Sequence, residues 1–334
     1  MTRPKEQRLF QDMRRQASQT LKRHLDPLAL PAAIERLKDW HTYTRFVAPE
    51  DFQPEKSYEL TDDSTSRYLR AEYRPKRANR PRKFAQGARY GAATHNGCPL
   101  APENMPGNQC PYERAVEAGG RYNILTQISP FGEDHSVFAS PTFATHDWRP
   151  GGSLVLRKRL ADMYAIARQL PGFLVFWNGW QAGASIDWFH LQALRNATPT
   201  PLQRAADAAQ ASPFEAVTRI DEPFWPIPAI RFRGPGEFIV DEAVKSALGW
   251  NAAAGEHATE NILMFSQPDG VSCYYVPRDR RRERADGLAG AIGSYEAAGV
   301  FIFSVDAEKL DAGELGFREV WQFLGQARPE ARMV

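Results

Sequence analysis

The stretch Phe176-Trp177-Asn178-Gly179-Trp180-Gln181-Ala182-Gly183-Ala184-Ser185-Ile186-Asp187-Trp188-Phe189-His190-Leu191-Gln192 gathers residue types that handle phosphate. Gly183, followed by the small Ala184 and Ser185, permits a tight backbone turn. The turn runs into a segment where Trp188, His190 and Gln192 alternate with other residues, and period-two alternation puts these three on one face of a strand. A neutral imidazole is a nucleophile, and a nearby amide and hydroxyl can bind the oxygens of a phosphoryl group. A histidine near its reference pKa of about 6.5 is largely neutral at pH 7. On spacing alone, a structural histidine on a strand is the commoner fate of such a residue. Asp187 alternates to the opposite face, where solvent or sheet pairing is expected.

These side chains need a scaffold. Leu9, Phe10, Met13, Ala17, Leu21 and Leu25 recur at helical spacing, so roughly the first 45 residues read as helical. Residues 49–89 are polar and rich in proline and arginine, which predicts a long irregular connection or edge segment. Strands are expected at Asn123-Ile124-Leu125 and at residues 136–140, with a turn at Pro130-Phe131-Gly132 between them. Leu156, Leu160, Met163, Ala167 and Leu170 predict a helix that Pro171-Gly172 ends. The apolar run 173–177 reads as a buried strand, and a second strand is expected over 186–191.

The second half echoes this order. Asn261-Ile262-Leu263 repeats the tripeptide at Asn123, and at the same offset Tyr275-Val276-Pro277-Arg278 falls on residues 137–140. A helical stretch near 288–297 and the apolar Val300-Phe301-Ile302-Phe303 follow. The expectation is an internal duplication within an α+β protein whose mainly antiparallel sheet is flanked by helices.

Composition narrows the function. The chain has 334 residues, 43% hydrophobic and 25% charged, with a formal net charge of +2, which is the profile of a soluble globular protein. No stretch approaches the roughly 18 apolar residues of a membrane helix, and the first residues carry no apolar secretory segment. Three cysteines make no disulfide framework, so a cytoplasmic protein is expected. Two local basic runs stand out. Residues 67–89 carry Arg67, Arg70, Arg74, Lys76, Arg77, Arg80, Arg82, Lys83 and Arg89 against the single acid Glu72. Arg278, Arg280, Arg281, Arg282 and Arg284 form the second, interrupted by Asp279 and Glu283. Both suit the walls of a polyphosphate site, although a solvated loop is the usual explanation of a charge run. The first run interleaves Tyr68, Tyr73, Phe84 and Tyr90, which suits stacking on single strands, but the near-neutral net charge argues against a nucleic-acid partner.

The motif Trp188-Phe189-His190-Leu191-Gln192, preceded by Asn178 and Gly183-Ala184-Ser185, resembles the signature of the histidine-triad (HIT-like) superfamily, transferase branch. That branch includes GDP-hexose phosphorylases of the GDP-L-galactose type, diadenosine tetraphosphate phosphorylases and galactose-1-phosphate uridylyltransferases. Tyr122-Asn123-Ile124-Leu125, residues 134–140, Asn261-Ile262-Leu263 with Pro277-Arg278, and residues 294–300 are similar to landmarks of its two half-folds, so the resemblance covers roughly residues 91–311. It implies a helical and irregular N-terminal extension (1–90), a first HIT-like half carrying the motif (91–210) and a second half (211–334).

The resemblance further implies a nucleotidyltransferase or phosphorylase working through a nucleotidyl-histidine on His190. Gln192 would bind the nonbridging oxygens, and Ser185, Asn178, Gly183, Asn123 and Arg278 would contact substrate or phosphate. The implied partners are a nucleotide sugar or dinucleoside polyphosphate and phosphate or a sugar phosphate as acceptor, without a cofactor and in a homodimer. The alternative classes are a nucleotide-binding relative without turnover and, behind it, a single-stranded nucleic-acid binder.

The chain departs from the pattern at one set of positions. The first histidine of the motif is Trp188. In the zinc-bearing uridylyltransferases this position is a metal ligand, together with a Cys-x-x-Cys pair and a further histidine. Those positions correspond to Cys98, Ala101 and Phe143 in this chain. One thiol cannot hold a tetrahedral zinc, so no metal is expected and Trp188 should pack in its place.

Overall fold

The computed structural model describes residues 4–44, 46–62, 64–65, 67–75, 98, 100–101, 104–105, 111–127, 129–184, 186–212, 215–286, 290–304 and 307–330, without the side chains of 4–11 and 14. Helices α1 (Pro4–Leu25) and α2 (Leu30–Tyr43) open the chain, followed by strands β1 (Lys56–Thr61) and β2 (Tyr68–Tyr73). Next come β3 (Tyr112–Ala115), β4 (Arg121–Thr126), β5 (Ser136–Ala139), α3 (Gly152–Gln169), β6 (Phe173–Asn178) and β7 (His190–Arg195). Then follow α4 (Pro201–Ala209), β8 (Val217–Ile220), β9 (Ala229–Arg233), α5 (Gly236–Ala254), β10 (Ala258–Gln267) and β11 (Gly270–Asp279). The chain ends with α6 (Ser294–Ala297), β12 (Val300–Phe303), α7 (Ala307–Asp311) and α8 (Phe317–Gln326).

Among the described residues, nine strands build one antiparallel sheet in the order β3-β4-β5-β7-β6-β10-β11-β9-β8. The order shows the duplication. β4, β5, α3, β6 and β7 recur as β8, β9, α5, β10 and β11, and the two sets meet antiparallel at β6 and β10. This corrects the expected correspondence: Asn261-Ile262-Leu263 lies on the counterpart of β6, not of β4. Val300–Phe303 is not a repeated strand either. As β12 it pairs in parallel with β2 in a separate three-stranded sheet, β1-β2-β12.

Residues 56–61 and 68–73 are therefore strands, with β1 at the edge of the small sheet, where an irregular connection or an edge segment is expected from the sequence. β2 pairs locally with β1, but its second partner, β12, is more than two hundred residues away. Such a parallel partner is supplied by tertiary structure, not by a local turn.

Alternation along the strands divides the large sheet into two faces. Leu156, Leu160 and Ile166 of α3 and Ile239 and Ala243 of α5 cover one face, against Phe138, Val175, Leu191, Ile262 and Cys273. The other face carries two separate clusters. Phe176, Leu263 and Val276 pack against the small sheet through Leu69, Ala71 and Phe301. Leu125, Val137 and Ala139 pack against Cys98, Leu100, Ala101, Met105, Ile186 and Trp188. β7 stands between the strands of these two clusters, and its polar residues face the gap. Among the described residues no helix is long and apolar enough to cross a membrane.

Candidate functional site

A polar row crosses the sheet on the face away from α3 and α5. β4 pairs Asn123 with Ala139, and β5 pairs Ala139 with His190. Directly paired residues share a face, so Asn123, Ala139 and His190 stand in line with only a methyl group in the middle. β6 and β7 separate after the Phe176–Gln192 pair, two residues short of His190 and Asn178, and β10 pairs Asn178 with Asn261. Asn123, His190, Asn178 and Asn261 thus belong to one transverse row.

His190 begins β7 and is half-buried. The strand covers residues 190–195 and not 186–191, because residues 186–189 form the bend that delivers the chain to the sheet. Its Nδ1 lies 2.8 Å from the Trp188 carbonyl. A carbonyl only accepts, so Nδ1 carries the proton and the lone pair is on Nε2. That tautomer is the nucleophilic one for attack from Nε2.

Gln192 lies on the same face and is buried. Its Oε1 is 3.0 Å from His135 Nε2. The Phe131 backbone N–H donates to His135 Nδ1 at 3.2 Å, so the His135 proton is on Nε2 and donates to Gln192. The amide oxygen is thereby occupied and the amide NH₂ is left to donate. An NH₂ pointing from the strand beside a nucleophile is the group needed on a phosphoryl oxygen.

The connection between β6 and β7 is held from the second half of the sheet. Thr259 Oγ1–H donates to the Trp180 carbonyl at 2.8 Å, and Asn261 Nδ2–H donates to the Ala182 carbonyl at 2.7 Å. Gly183 has φ +96°, and a Cβ there would stand 2.5 Å from Gly293 Cα, so both backbone conformation and close approach require glycine. Asn178 brackets the other side. Its Oδ1 accepts from the Ser294 backbone N–H at 2.7 Å and from Asn261 Nδ2–H at 3.2 Å. Ser185 lies outside the described residues, as do residues 76–90 of the first basic run.

Arg278 takes a different place from the one expected. It is fully buried, and Nη1–H donates to Asn261 Oδ1 at 2.5 Å and to the Ile292 carbonyl at 2.7 Å. Nη2–H reaches the Arg282 carbonyl at 3.2 Å. Burial pulls its pKa down to about 10. These bonds make it an internal strut that holds Asn261 and, through it, Asn178. Three others of the second run form ion pairs: Arg280 with Asp147, Arg281 with Asp279 and Arg282 with Glu330.

The four positions matched to zinc ligands do meet in space. Trp188 packs edge to face on Phe143 at 5.7 Å, within the apolar cluster that contains Cys98 and Ala101. Trp188 Nε1–H donates to the Ser140 carbonyl at 2.8 Å. One thiol among an alanine, a phenyl and an indole does not fit a zinc ion.

Sequence reading missed three residues. His135 orients Gln192. His146 stands 2.8 Å from His190, ring nitrogen to ring nitrogen. Asp187 faces inward after all, and its Oδ1 accepts from Thr145 Oγ1–H at 2.6 Å and from the His146 backbone N–H at 2.8 Å. The available signal was weak: His135 and His146 are histidines at the two ends of one strand-loop segment, far in sequence from the motif. Below the site, Glu260 is buried under Trp148, whose Nε1–H donates to it at 3.1 Å, and burial lifts its pKa to about 7.

Comparison with known proteins comes to bear on this geometry. A family model described as a domain of unknown function (DUF4922) matches residues 50–195, which include the motif but less than half of the chain. No curated protein matches the sequence. Among solved structures, the chain is similar to yeast Ap4A phosphorylase Apa2 in complex with AMP, at 18% identity and TM-score 0.58, over 87% of this chain and 96% of that one. The complex of Apa2 with Ap4A matches at 16% identity and TM-score 0.54, over 89% of this chain and 98% of that one. A uridylyltransferase matches at 16% identity and TM-score 0.34, over 81% of this chain and all of that one, too loosely to support an inference. The likeness is one of fold: a duplicated α+β architecture with a mainly antiparallel sheet. The chain shares the fold of Apa2 along most of the length of both proteins.

Proposed function

We propose that the protein is a nucleotidyltransferase of the phosphorylase type that works through a covalent nucleotidyl-His190. The observation that carries this reading is the pair of tautomer assignments at β7. The Trp188 carbonyl leaves the His190 lone pair on Nε2, and His135 leaves the Gln192 NH₂ as a donor two residues further on the same face. A nucleophile and an oxyanion donor are thus fixed before substrate arrives.

In the first step, His190 Nε2 forms a bond to the α-phosphorus of a nucleoside polyphosphate derivative. The P–O bond to the distal group breaks, and that group leaves as a phosphate-bearing product. In the second step, an oxygen of inorganic phosphate or a sugar phosphate attacks the same phosphorus and the N–P bond breaks. With inorganic phosphate the product is a nucleoside diphosphate. Gln192 donates to the nonbridging oxygens in both steps, and Asn123, Asn178 and Gly183 line the nucleotide; for Ser185 the support is the motif resemblance alone. Substrates of two chemistries share the required unit, a dinucleoside polyphosphate and a nucleoside diphosphate sugar. The likeness to a fold that holds Ap4A and AMP favours the first.

Intact mass spectrometry after mixing with dinucleoside polyphosphates or nucleotide sugars at neutral pH tests this. The expected result is an acid-labile nucleotidyl adduct that His190→Asn does not form. Tight binding of these nucleotides with no adduct and no turnover would overturn the reading in favour of a binding protein.

A further inference from the structure

His135, whose Nε2–H turns the Gln192 amide, stands just outside the strand ladder. The β5–β7 pairing ends at Ser136 with Ala193, so ladder bonds to β7 do not fix His135. Its place depends on the residue before it. Asp134 has φ +53°, in the left-handed region that a residue with a Cβ enters at a cost, aspartate at less than most. Its own side chain holds the turn there. The Asp134 carboxylate is buried, and each of its oxygens takes one cation. Oδ1 pairs with the Lys38 ammonium of α2. Oδ2 accepts from Arg195 Nε–H at 2.9 Å and lies 2.7 Å from Arg195 Nη2, at the end of β7. Neither cation replaces the other, because a buried carboxylate oxygen that loses its partner is left unpaired in the interior. Around this clamp, the Asp134 carbonyl accepts from Ser136 Oγ–H at 3.1 Å, and the His135 carbonyl accepts from the Gln127 backbone N–H at 2.9 Å. Beside it, Gln53 Nε2–H donates to the Glu133 carboxylate at 2.8 Å.

We propose that Lys38 is a positioning residue for the reaction: its bond to Asp134 fixes the turn that aims His135 at Gln192, which makes α2 part of the working site. The proposal rests on the reading of Gln192 as the oxyanion donor. α2 grips the β4–β5 connection at both ends. Lys38 and His41 are three residues apart and lie on one face of the helix. His41 Nδ1 is 2.8 Å from Oγ1 of Thr126, the last residue of β4, and Lys38 reaches Asp134, two residues before β5. Leu30, Ile34 and Leu37 seat the helix in the main core, so the ammonium is delivered from a packed element. Its nitrogen stands 5.7 Å from the centre of the Phe52 ring. The path to the phosphoryl oxygen then runs from the ammonium to the Asp134 carboxylate, along the chain to His135, and through its Nε2–H to the Gln192 amide. When the turn relaxes, His135 tilts and Gln192 Oε1 loses its donor. Gln127 Nε2, 3.5 Å from the same oxygen, is at the limit of hydrogen-bond reach and does not replace it.

Proton exchange at the histidine rings, read by nitrogen NMR of the full-length protein labelled in those rings, tests this without substrate. The His135 Nε2–H signal is identified by its loss in His135→Phe. Its exchange is expected to be slow in the wild type, about ten times faster in Lys38→Met, and near the wild-type rate in Lys38→Arg, which keeps the charge. With diadenosine tetraphosphate and inorganic phosphate as the probe, kcat of Lys38→Met should fall roughly tenfold while KM stays within about twofold. Lys38→Met combined with Gln192→Ala should be no slower than Gln192→Ala alone. An unchanged exchange rate or an unchanged kcat in folded Lys38→Met, or a loss that adds to that of Gln192→Ala, would overturn the proposal. Should Lys38→Met not fold, Asp134→Asn, which tolerates the same backbone and leaves no carboxylate to pair, carries the same expectations. A wild type that gives neither turnover nor adduct would instead count against the reading of the site. The exchange rates would then decide the clamp by themselves, faster exchange in Lys38→Met supporting it and unchanged exchange overturning it.

Discussion

His135 sets the direction of the Gln192 amide: its Nε2–H donates to Gln192 Oε1 at 3.0 Å, and the Phe131 backbone N–H at its other nitrogen prevents the reverse arrangement. Removing the histidine should therefore act through the glutamine. Gln192→Ala is expected to lower kcat by roughly 10²–10³, the usual loss of one transition-state donor. His135→Phe should lower it by about tenfold or more, because the amide can then turn its oxygen toward the phosphoryl group. The double variant should be no slower than Gln192→Ala alone. Steady-state kinetics of the four proteins check this, and additive losses would mean that His135 acts by some other route.

Glu260 makes the fold sensitive to pH near neutrality. Burial lifts its pKa from an ordinary 4.5 to about 7, so the folded protein keeps a proton that the unfolded chain has released. The stability linked to this proton is fully present below about pH 4.5 and is lost as pH rises through about 7. By that difference, ionisation in place costs roughly 3 kcal/mol. Thermal unfolding followed from pH 5 to 8 should show the wild type losing stability across this window, and Glu260→Gln should be flatter. A parallel loss in both proteins would place the titrating group elsewhere.

How legible this was depends on the range of the interactions. His190 and Gln192 could be read because strand alternation and a compact motif are both local. Their neighbours His135 and His146 reach the site only through the β5–β7 pairing and the loop after β5, and no spacing in the sequence carries that information. Asp187 faces inward, against the expectation from strand alternation, because the residues around it form a bend and not a strand. The tripeptide at Asn123 and Asn261 suggests a register of the repeat. The sheet instead puts both asparagines in one transverse row, as members of non-equivalent strands. β1 and β2 pair locally, but the strand that completes their sheet, β12, comes from the far end of the chain, so the sequence around them does not show what packs beside β2.

Arg278 illustrates the limit of reading a charge as a ligand contact. Its guanidinium satisfies an amide oxygen and two carbonyls in a buried space, which is a planar, multidentate task. Arg278→Lys should therefore behave as a disruptive substitution. It is expected to lose at least about 2 kcal/mol of stability, since acceptors are left unpaired in the interior. Chemical denaturation checks the stability. If Arg278 instead contacted phosphate, Arg278→Lys would keep the stability and raise KM.

Trp188 occupies the position where the resembling family has the first motif histidine, and its two chemical groups do different things. The indole is packing: it sits against Phe143 in the cluster with Cys98 and Ala101. The backbone carbonyl is the group that faces His190 Nδ1 at 2.8 Å. Truncating the side chain should thus cost stability without removing the acceptor that sets the tautomer. Trp188→Ala is expected to lose about 3–5 kcal/mol, as for other large aromatic truncations in a core. Trp188→Phe, which keeps most of the volume and loses only the N–H to Ser140, should lose clearly less. Per folded molecule, both should form the His190 adduct within about tenfold of the wild-type rate, because one factor of ten corresponds to only about 1.4 kcal/mol of barrier. Rapid-mixing mass spectrometry at a temperature where the variants remain folded measures that rate. If the adduct were lost in folded Trp188→Phe, the indole itself would be part of the chemistry. If it were kept, a tryptophan in the first motif position would be compatible with catalysis, since the backbone at that position does the work at His190.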